Sequence, residues 1–314
     1  MTQPIIPPVE KGLLLEELSR AREIKDAAHG SIKVYCIDSS FPSLLREMGR
    51  LREIAFRVGG AGTGKDVDID DFDTDPSLGF RQLFAWDTEE EAIVGGYRFV
   101  YGYNIRFGDD GQPIIPSAHM YRFSDRFIRE ELPHTMELSR SFIVERYQRN
   151  SGEARKSIFI LDCLFKAICA EARDGKMTDI FGKVTFYPNY PAEAFALVTA
   201  AMEKHCYGGD DITPIKPYVI QPSEEAMQVL IHNDFRSDFR ALTATLLKRG
   251  QYLPPILKSY LNQTTTLKYY GTAVFEEFGH VVEIALKLHL PDLDRARWSV
   301  YFNNMDELQE MNQK

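Results

Sequence analysis

The stretch E-L-S-R-S-F-I-V-E (137–145), R-Y-Q-R-N-S-G-E-A-R-K-S (146–157), I-F-I-L-D-C-L-F-K-A-I-C-A-E-A-R-D-G (158–175) decides how this chain folds. Its first nine residues hold Phe142, Ile143 and Val144 and suit a strand. Its last part sets Ile158, Leu161, Leu164, Phe165 and Ile168 at helical spacing, with Gly175 placed to end the helix. Between them lies Arg149-Asn-Ser-Gly152-Glu-Ala154, an R-x-x-G-x-A loop. A strand, a glycine loop and a helix N-terminus make an anion trap. The first helical N–H groups lack internal partners, the helix dipole favours negative charge, and a glycine lets backbone approach a phosphate. An ordinary surface loop also carries a glycine in such a frame, so the segments around it decide the reading.

Working outward, residues 41–58 read as a helix with Leu44, Leu45, Met48, Leu51, Ala55 and Val58 on its apolar stripe. Arg52 sits at the edge of that stripe. It is either a snorkelling side chain or a buried guanidinium facing a carboxylate. A loop over 59–75 follows, with Asp66, Asp68, Asp70, Asp71, Asp73 and Asp75. It has Gly60 and Lys65 but no Ser or Thr after the lysine, so it is not a P-loop. It lacks the glycine and terminal Glu of an EF-hand, and a solvated acidic loop is the plainer reading.

Residues 80–87 and 92–101 predict an antiparallel pair, and Gly95-Gly96 inside the second strand marks a bulge or a close approach. The pattern over 119–131 is amphipathic and predicts a helix. Strands are expected at 31–37, 178–187 and 281–289. Helices are expected from Pro191 to Cys206, after Ser223, over 234–249, and from Pro254-Pro255. Residues 1–30, with a Pro-rich start and a short Leu-rich helix, form an N-terminal extension that packs on the domain or binds something else. The domain itself is expected over 31–290, with a tail from 291 to 314.

The chain has 314 residues, 44% hydrophobic and 26% charged, which supplies a sizeable core. Its net charge of −9 argues against nucleic acid as a partner. No stretch is long and apolar enough to span a bilayer, and the start does not read as a signal peptide, so the expected compartment is the cytoplasm. Cys36, Cys163, Cys169 and Cys206 form no C-x-x-C pair and no zinc spacing, and read as reduced, mostly buried thiols; no metal is expected.

Several segments now align in order: Asp71-Phe72-Asp73, I-V-G-G-Y-R-F (93–99), Glu137-Leu-Ser-Arg140, D-I-F-G-K-V-T (179–185), P-P-I-L-K-S-Y (254–260) and G-T-A-V-F (271–275). With the R-x-x-G-x-A loop, this order resembles the GNAT acyltransferases. Within them it is similar to the hemolysin-like N-acyltransferases that make ornithine and glycine lipids and, more distantly, to the acyl-homoserine-lactone synthases. The resemblance spans about residues 45–290, and the stretch 208–249 departs from it. It implies an α/β (α+β) fold, with a mixed, mostly antiparallel sheet splayed between the 137–145 and 178–187 strands and flanked by helices.

The resemblance further implies transfer of a long, 3-hydroxylated acyl chain from a phosphopantetheine thioester to an amino-acid amine such as ornithine or glycine. The thioester is carried on acyl carrier protein or CoA; no tightly bound cofactor is implied, and peripheral contact with the inner membrane face is compatible with it. Carried over, Glu137 and Arg140 are catalytic, with Glu137 as the base. Arg52, Phe56, Asp70, Asp73 and Arg98 line the substrate site, Asp70 and Asp73 as amine binders. Arg149, Gly152 and Ala154 hold the donor phosphate. An acetyl-CoA-dependent enzyme, or a non-catalytic acyl-carrier binder on the same fold, are the alternatives.

Strict alternation would put Glu137 and Arg140 on opposite faces. For both to reach one cavity the strand must bulge within 138–142, turning both toward the acidic loop and freeing a backbone N–H.

Overall fold

The computed structural model describes residues 2–148, 154–294 and 301, with the backbone alone at 154 and 155. The strands are β1 Arg22–Glu23, β2 Ile32–Ile37, β3 Arg81–Asp87, β4 Ala92–Tyr101, β5 Tyr121–Phe123, β6 Thr135–Ile143, β7 Asp179–Phe186, β8 Ile212–Pro214, β9 Lys268–Phe275 and β10 Val281–His289. The helices are α1 Lys11–Leu18, α2 Pro42–Val58, α3 Asp71–Thr74, α4 Ala154–Asp174, α5 Ala192–Cys206, α6 Glu224–Met227, α7 Phe235–Lys248 and α8 Pro255–Gln263.

Eight strands form one sheet in the order β1-β2-β3-β4-β6-β7-β10-β9, while β5 and β8 pair separately. Every pairing in the large sheet is antiparallel except β6 with β7. That parallel pairing runs only over Thr135–Leu138 against Asp179–Gly182, although both strands continue beyond it. The sheet therefore opens at its centre, where the sequence predicts a splay.

Helix α4 covers one face. Its Ile160, Leu164 and Ile168 are buried, and Ile160 reaches the β4 backbone at Gly95. Two members of its expected stripe lie elsewhere: Leu161 lines a cavity, and Ile158 is 68% exposed. The opposite face carries α2 and the insertion between β4 and β6. A second apolar cluster there includes Val100, Ile115, Tyr121, Phe127 and Phe181. The four cysteines are free and buried.

The expected helix over 119–131 does not form. Tyr121–Phe123 alternates buried, exposed, buried, and pairs as a strand with Ile212–Pro214. Only one π turn follows, Phe127–Glu131, with Ser124 Oγ accepting from Phe127 N at 3.1 Å. A period of two in a short segment outranked the amphipathic pattern.

The segment before Ser31 packs on the domain. Leu14, Ile24 and Ala27 join the main core, and β1 pairs with β2. Glu17 accepts from Ser43 N at 3.0 Å and Leu44 N at 2.9 Å, so a carboxylate from α1 satisfies open N–H groups at the start of α2. From the expected tail, Tyr301 is buried, edge-on to Phe165, with its hydroxyl accepting from Gln263 Nε2 at 2.9 Å.

The β4 glycines mark close approach. A Cβ on Gly96 would lie 2.7 Å from Leu83 O and 3.0 Å from both Met48 and Phe142. Gly96→Val should therefore overpack the centre of the sheet and destabilise it by about 1–3 kcal/mol. Urea unfolding followed by circular dichroism reads this; an unchanged midpoint would show that the site relaxes freely.

Candidate active site

The backbone breaks where β6 passes β4. Gly96 pairs with Phe142 and Arg98 with Ser139, so Tyr97 alone faces Arg140 and Ser141. Arg140 takes the left-handed conformation, with φ of 51°. An extra residue in one strand, one member left-handed, is a β-bulge within the predicted window. It reverses the alternation after Ser139 and turns Arg140 to the α2 side. From Ser139 onward β6 has no strand partner on its β7 side among the described residues. This open edge borders a cavity of about 1610 Å³ that both sides of the sheet line, including Phe56, Arg98, Arg140, Phe165, Tyr260 and Phe278.

Against one side of the cavity stands a closed ring of three arginines and three aspartates, of which Asp70, Arg98 and Arg140 line it. Arg52 pairs with Asp73 at 2.8 Å and Asp68 at 3.3 Å. Arg140 meets the same Asp68 at 2.9 Å and Asp70 at 3.7 Å. Arg98 completes the circuit to Asp70 at 2.5 Å and Asp73 at 3.2 Å. Gln82 Nε2 donates to Asp73 Oδ1 at 2.7 Å, and Asp70 N to Asp73 Oδ2 at 3.1 Å. Arg98 lies over the rings of Phe72 and Phe80, and Arg140 over Phe278.

The acidic loop is therefore not simply solvated: Asp68 and Asp73 are buried, and Arg52 is the buried guanidinium facing carboxylates. Burial alone would raise the Asp73 carboxyl, but Arg52 and then Arg98 outweigh it and hold it below the usual carboxylate range.

The residues carried over from the resemblance separate into two groups. Phe56, Asp70, Arg98 and Arg140 line the cavity; Arg52, Asp73 and Glu137 are not among its lining residues. With Asp73 engaged on all sides, Asp70, partly exposed, is the ring carboxylate that reaches the cavity. Glu137 does not turn to the acidic loop. It is fully buried, its Oε1 accepts from Ser117 Oγ at 3.0 Å, and its Oε2 has no hydrogen-bond partner among the described residues. Burial pushes its carboxyl up from 4.5, opposed by the Lys183 and Arg98 cations and by Ser117. Arg149 and Gly152 lie outside the described residues; Ala154 opens α4.

Other cavity groups were not singled out from sequence. Tyr97 on β4 and Tyr260 on α8 are buried close enough to interact, and burial pushes both phenols above 10. Lys183 and Glu283, on β7 and β10, meet at 3.7 Å on the cavity wall. Alternation along β7 and β10 was the available signal, but it does not tell which face meets the cavity.

Comparison with known proteins fits this geometry. A glycine N(alpha)-acyltransferase of Bacteroides thetaiotaomicron is 36% identical over 301 residues, covering 93% of this chain and 87% of that protein. The chain belongs to the GNAT N-acyltransferases. A second glycine N(alpha)-acyltransferase, from Phocaeicola vulgatus, is 35% identical over 297 residues, covering 93% of this chain and 90% of that one. Residues 51–155 match the family model described as an acetyltransferase (GNAT) domain. Among solved structures, FeeM, an N-acyl amino acid synthase from uncultured soil microbes, aligns with a TM-score of 0.39 at 10% identity over 83% of this chain and 92% of that chain. The GNAT enzyme has a mostly antiparallel sheet flanked by helices, opened at β6/β7.

Arg52→Met would leave Asp68 and Asp73 buried without the cation they share, and should cost about 3–5 kcal/mol in urea unfolding at neutral pH. The sign with pH follows from the depressed Asp73 carboxyl. Its contribution is present above the unfolded pKa of about 3.9 and is lost as pH falls through the lower folded value. Wild-type stability should fall with acidification below about pH 4, and less steeply in the variant; parallel profiles would contradict this linkage.

Proposed function

We propose that this enzyme moves a fatty acyl group from a phosphopantetheine thioester to the α-amine of an amino acid, glycine first among the candidates. The observation that carries this is the cavity running through the open β6/β7 edge, far larger than an acetyl group needs. Leu161, Phe165, Leu253 and Ile256 line it on one side and give a long chain an apolar bed. Asp70, Arg98 and Arg140 of the Arg–Asp ring line it on another. Names of the curated relatives support glycine as acceptor.

In this reading the donor phosphate lies at the N-terminus of α4, with Arg149 and Gly152 in the preceding loop. Acyl carrier protein and CoA are both compatible donors, and 3-hydroxyacyl chains belong among those tested. The thioester oxygen would meet backbone N–H groups of β6 exposed past the bulge. Asp70 would hold the incoming ammonium. Arg140, fixed by Asp68 and stacked on Phe278, would keep that wall in place. Glu137 would draw off the amine proton through its unpartnered Oε2, by way of a bridging water, since it stands outside the cavity lining. A carboxyl raised by burial is a better proton acceptor near neutrality than an ordinary glutamate. Release of the acyl product beside a membrane face fits an amphiphilic product; among the described residues no helix is long and apolar enough to cross a membrane.

The test offers palmitoyl-CoA, acetyl-CoA and a 3-hydroxyacyl carrier protein, each with glycine and with ornithine, and follows free thiol. Turnover with long-chain donor and glycine is expected; turnover confined to acetyl-CoA would favour the small-acyl reading, and none with any pair would favour a binding role. Glu137→Gln should lower kcat by about 100-fold or more with donor affinity near normal. In the wild type, the acidic limb of kcat/KM should lie above the ordinary glutamate value and disappear in the variant. A fully active Glu137→Gln enzyme would remove Glu137 from the role of base.

A further inference from the structure

Lys183 is a well-buried cavity cation that the site described so far leaves unused. Its side chain is only 8% exposed, yet it lines the cavity beside Gly182 at the last residue of β7 that pairs with β6. Arg98 and Arg140, the other well-buried cations there, are committed to the ring of aspartates. Lys183 Nζ has one ion-pair contact among the described residues, Glu283 Oε2 at 3.7 Å, which is beyond hydrogen-bond distance. Its ammonium group therefore opens to the cavity with no hydrogen-bond acceptor among the described residues, and an anion entering the cavity would complete it.

Glu283 is itself fixed from the side. Its Oε1 accepts from Thr185 Oγ1 at 2.9 Å, while Oε2 has no hydrogen-bond donor among the described residues. The pair is therefore built but unsaturated at both ends. Lys183 is also the cation that acts most strongly on Glu137. An ammonium group on the cavity wall, with the free carboxylate oxygen of Glu137 within electrostatic reach behind it, matches the two charged ends of a small amino acid.

We infer that Lys183 binds the α-carboxylate of the acceptor amino acid, orienting its amine toward Glu137 and the thioester at the open β6 edge. This rests on the amino-acid acceptor reading above and deepens it: the acceptor must carry a free carboxylate next to the amine. A compact point charge with three donors suits a small carboxylate that must be bound and later released as part of a larger product.

The experiment compares glycine with glycinamide, which keeps the amine and lacks the carboxylate, using palmitoyl-CoA or palmitoyl carrier protein as donor. In the wild type the KM for glycinamide should exceed that for glycine by about tenfold or more. In Lys183→Met the KM for glycine should rise by about ten- to hundredfold, with the KM for glycinamide and the affinity for donor unchanged. If the Met variant fails to fold, Lys183→Gln, which can still donate to Glu283, is read the same way. Equal KM values for the two acceptors in the wild type overturn the inference. So does a folded variant whose KM for glycine is unchanged, or rises equally for both acceptors. Wild-type turnover with neither glycine nor any other amino acid overturns the acceptor reading itself, and this inference with it.

Discussion

A buried guanidinium is tolerable only where carboxylates surround it, and that constraint shapes the centre of this enzyme. Arg52, on α2, is 1% exposed and cannot leave its charge unmatched. Asp68 and Asp73 meet it, and each needs a second cation, which Arg140 and Arg98 supply; Asp70 closes the circuit between those two. The ring is neutral in sum, with every charge between two of opposite sign. It joins α2, the loop into α3 with α3 itself, β4 and β6. The acidic loop is short of apolar residues to hold it down, and the ring fixes it instead.

The same ring explains the backbone at Arg140. A non-glycine residue at positive φ costs about 1–3 kcal/mol and persists only where its surroundings hold it. Here Asp68 pairs with the guanidinium and Phe278 lies beneath it. The bulge this creates ends regular alternation just as β6 loses its β7 partner. A locally unfavourable conformation thus yields an open strand edge inside the protein, with polar backbone facing a cavity. In a regular sheet those groups would be occupied by the ladder, and no substrate could reach them.

Much of this was legible in the chain. The strands at 32–37, 81–87, 92–101, 179–186 and 281–289 and the helices from Pro42 and Ala192 follow from local periodicity and caps, which neighbouring residues settle among themselves. The bulge followed from a conflict: two residues wanted on one side of a strand at a spacing that alternation forbids. The helical pattern over 119–131 gives way because three of its residues pair with a distant strand, Ile212–Pro214, a partner that local sequence does not announce. Glu137 was expected beside the acidic loop and instead faces Ser117 in the insertion, a contact nothing local announces.

What the sequence by itself determined was the order of elements, the family they belong to, and which charged residues sit where strands and helices meet. Those properties are carried by short-range pattern and by motif order. Tertiary structure alone decided which of those charges face one another and which face the cavity. Asp73 became an internal counter-ion while Asp70 kept access, and Lys183 with Glu283 came to the wall although neither stood out in the chain. The physical reason is that the energy of a charge depends on its burial and on its partners' distance, and both arise only when segments far apart in sequence pack together.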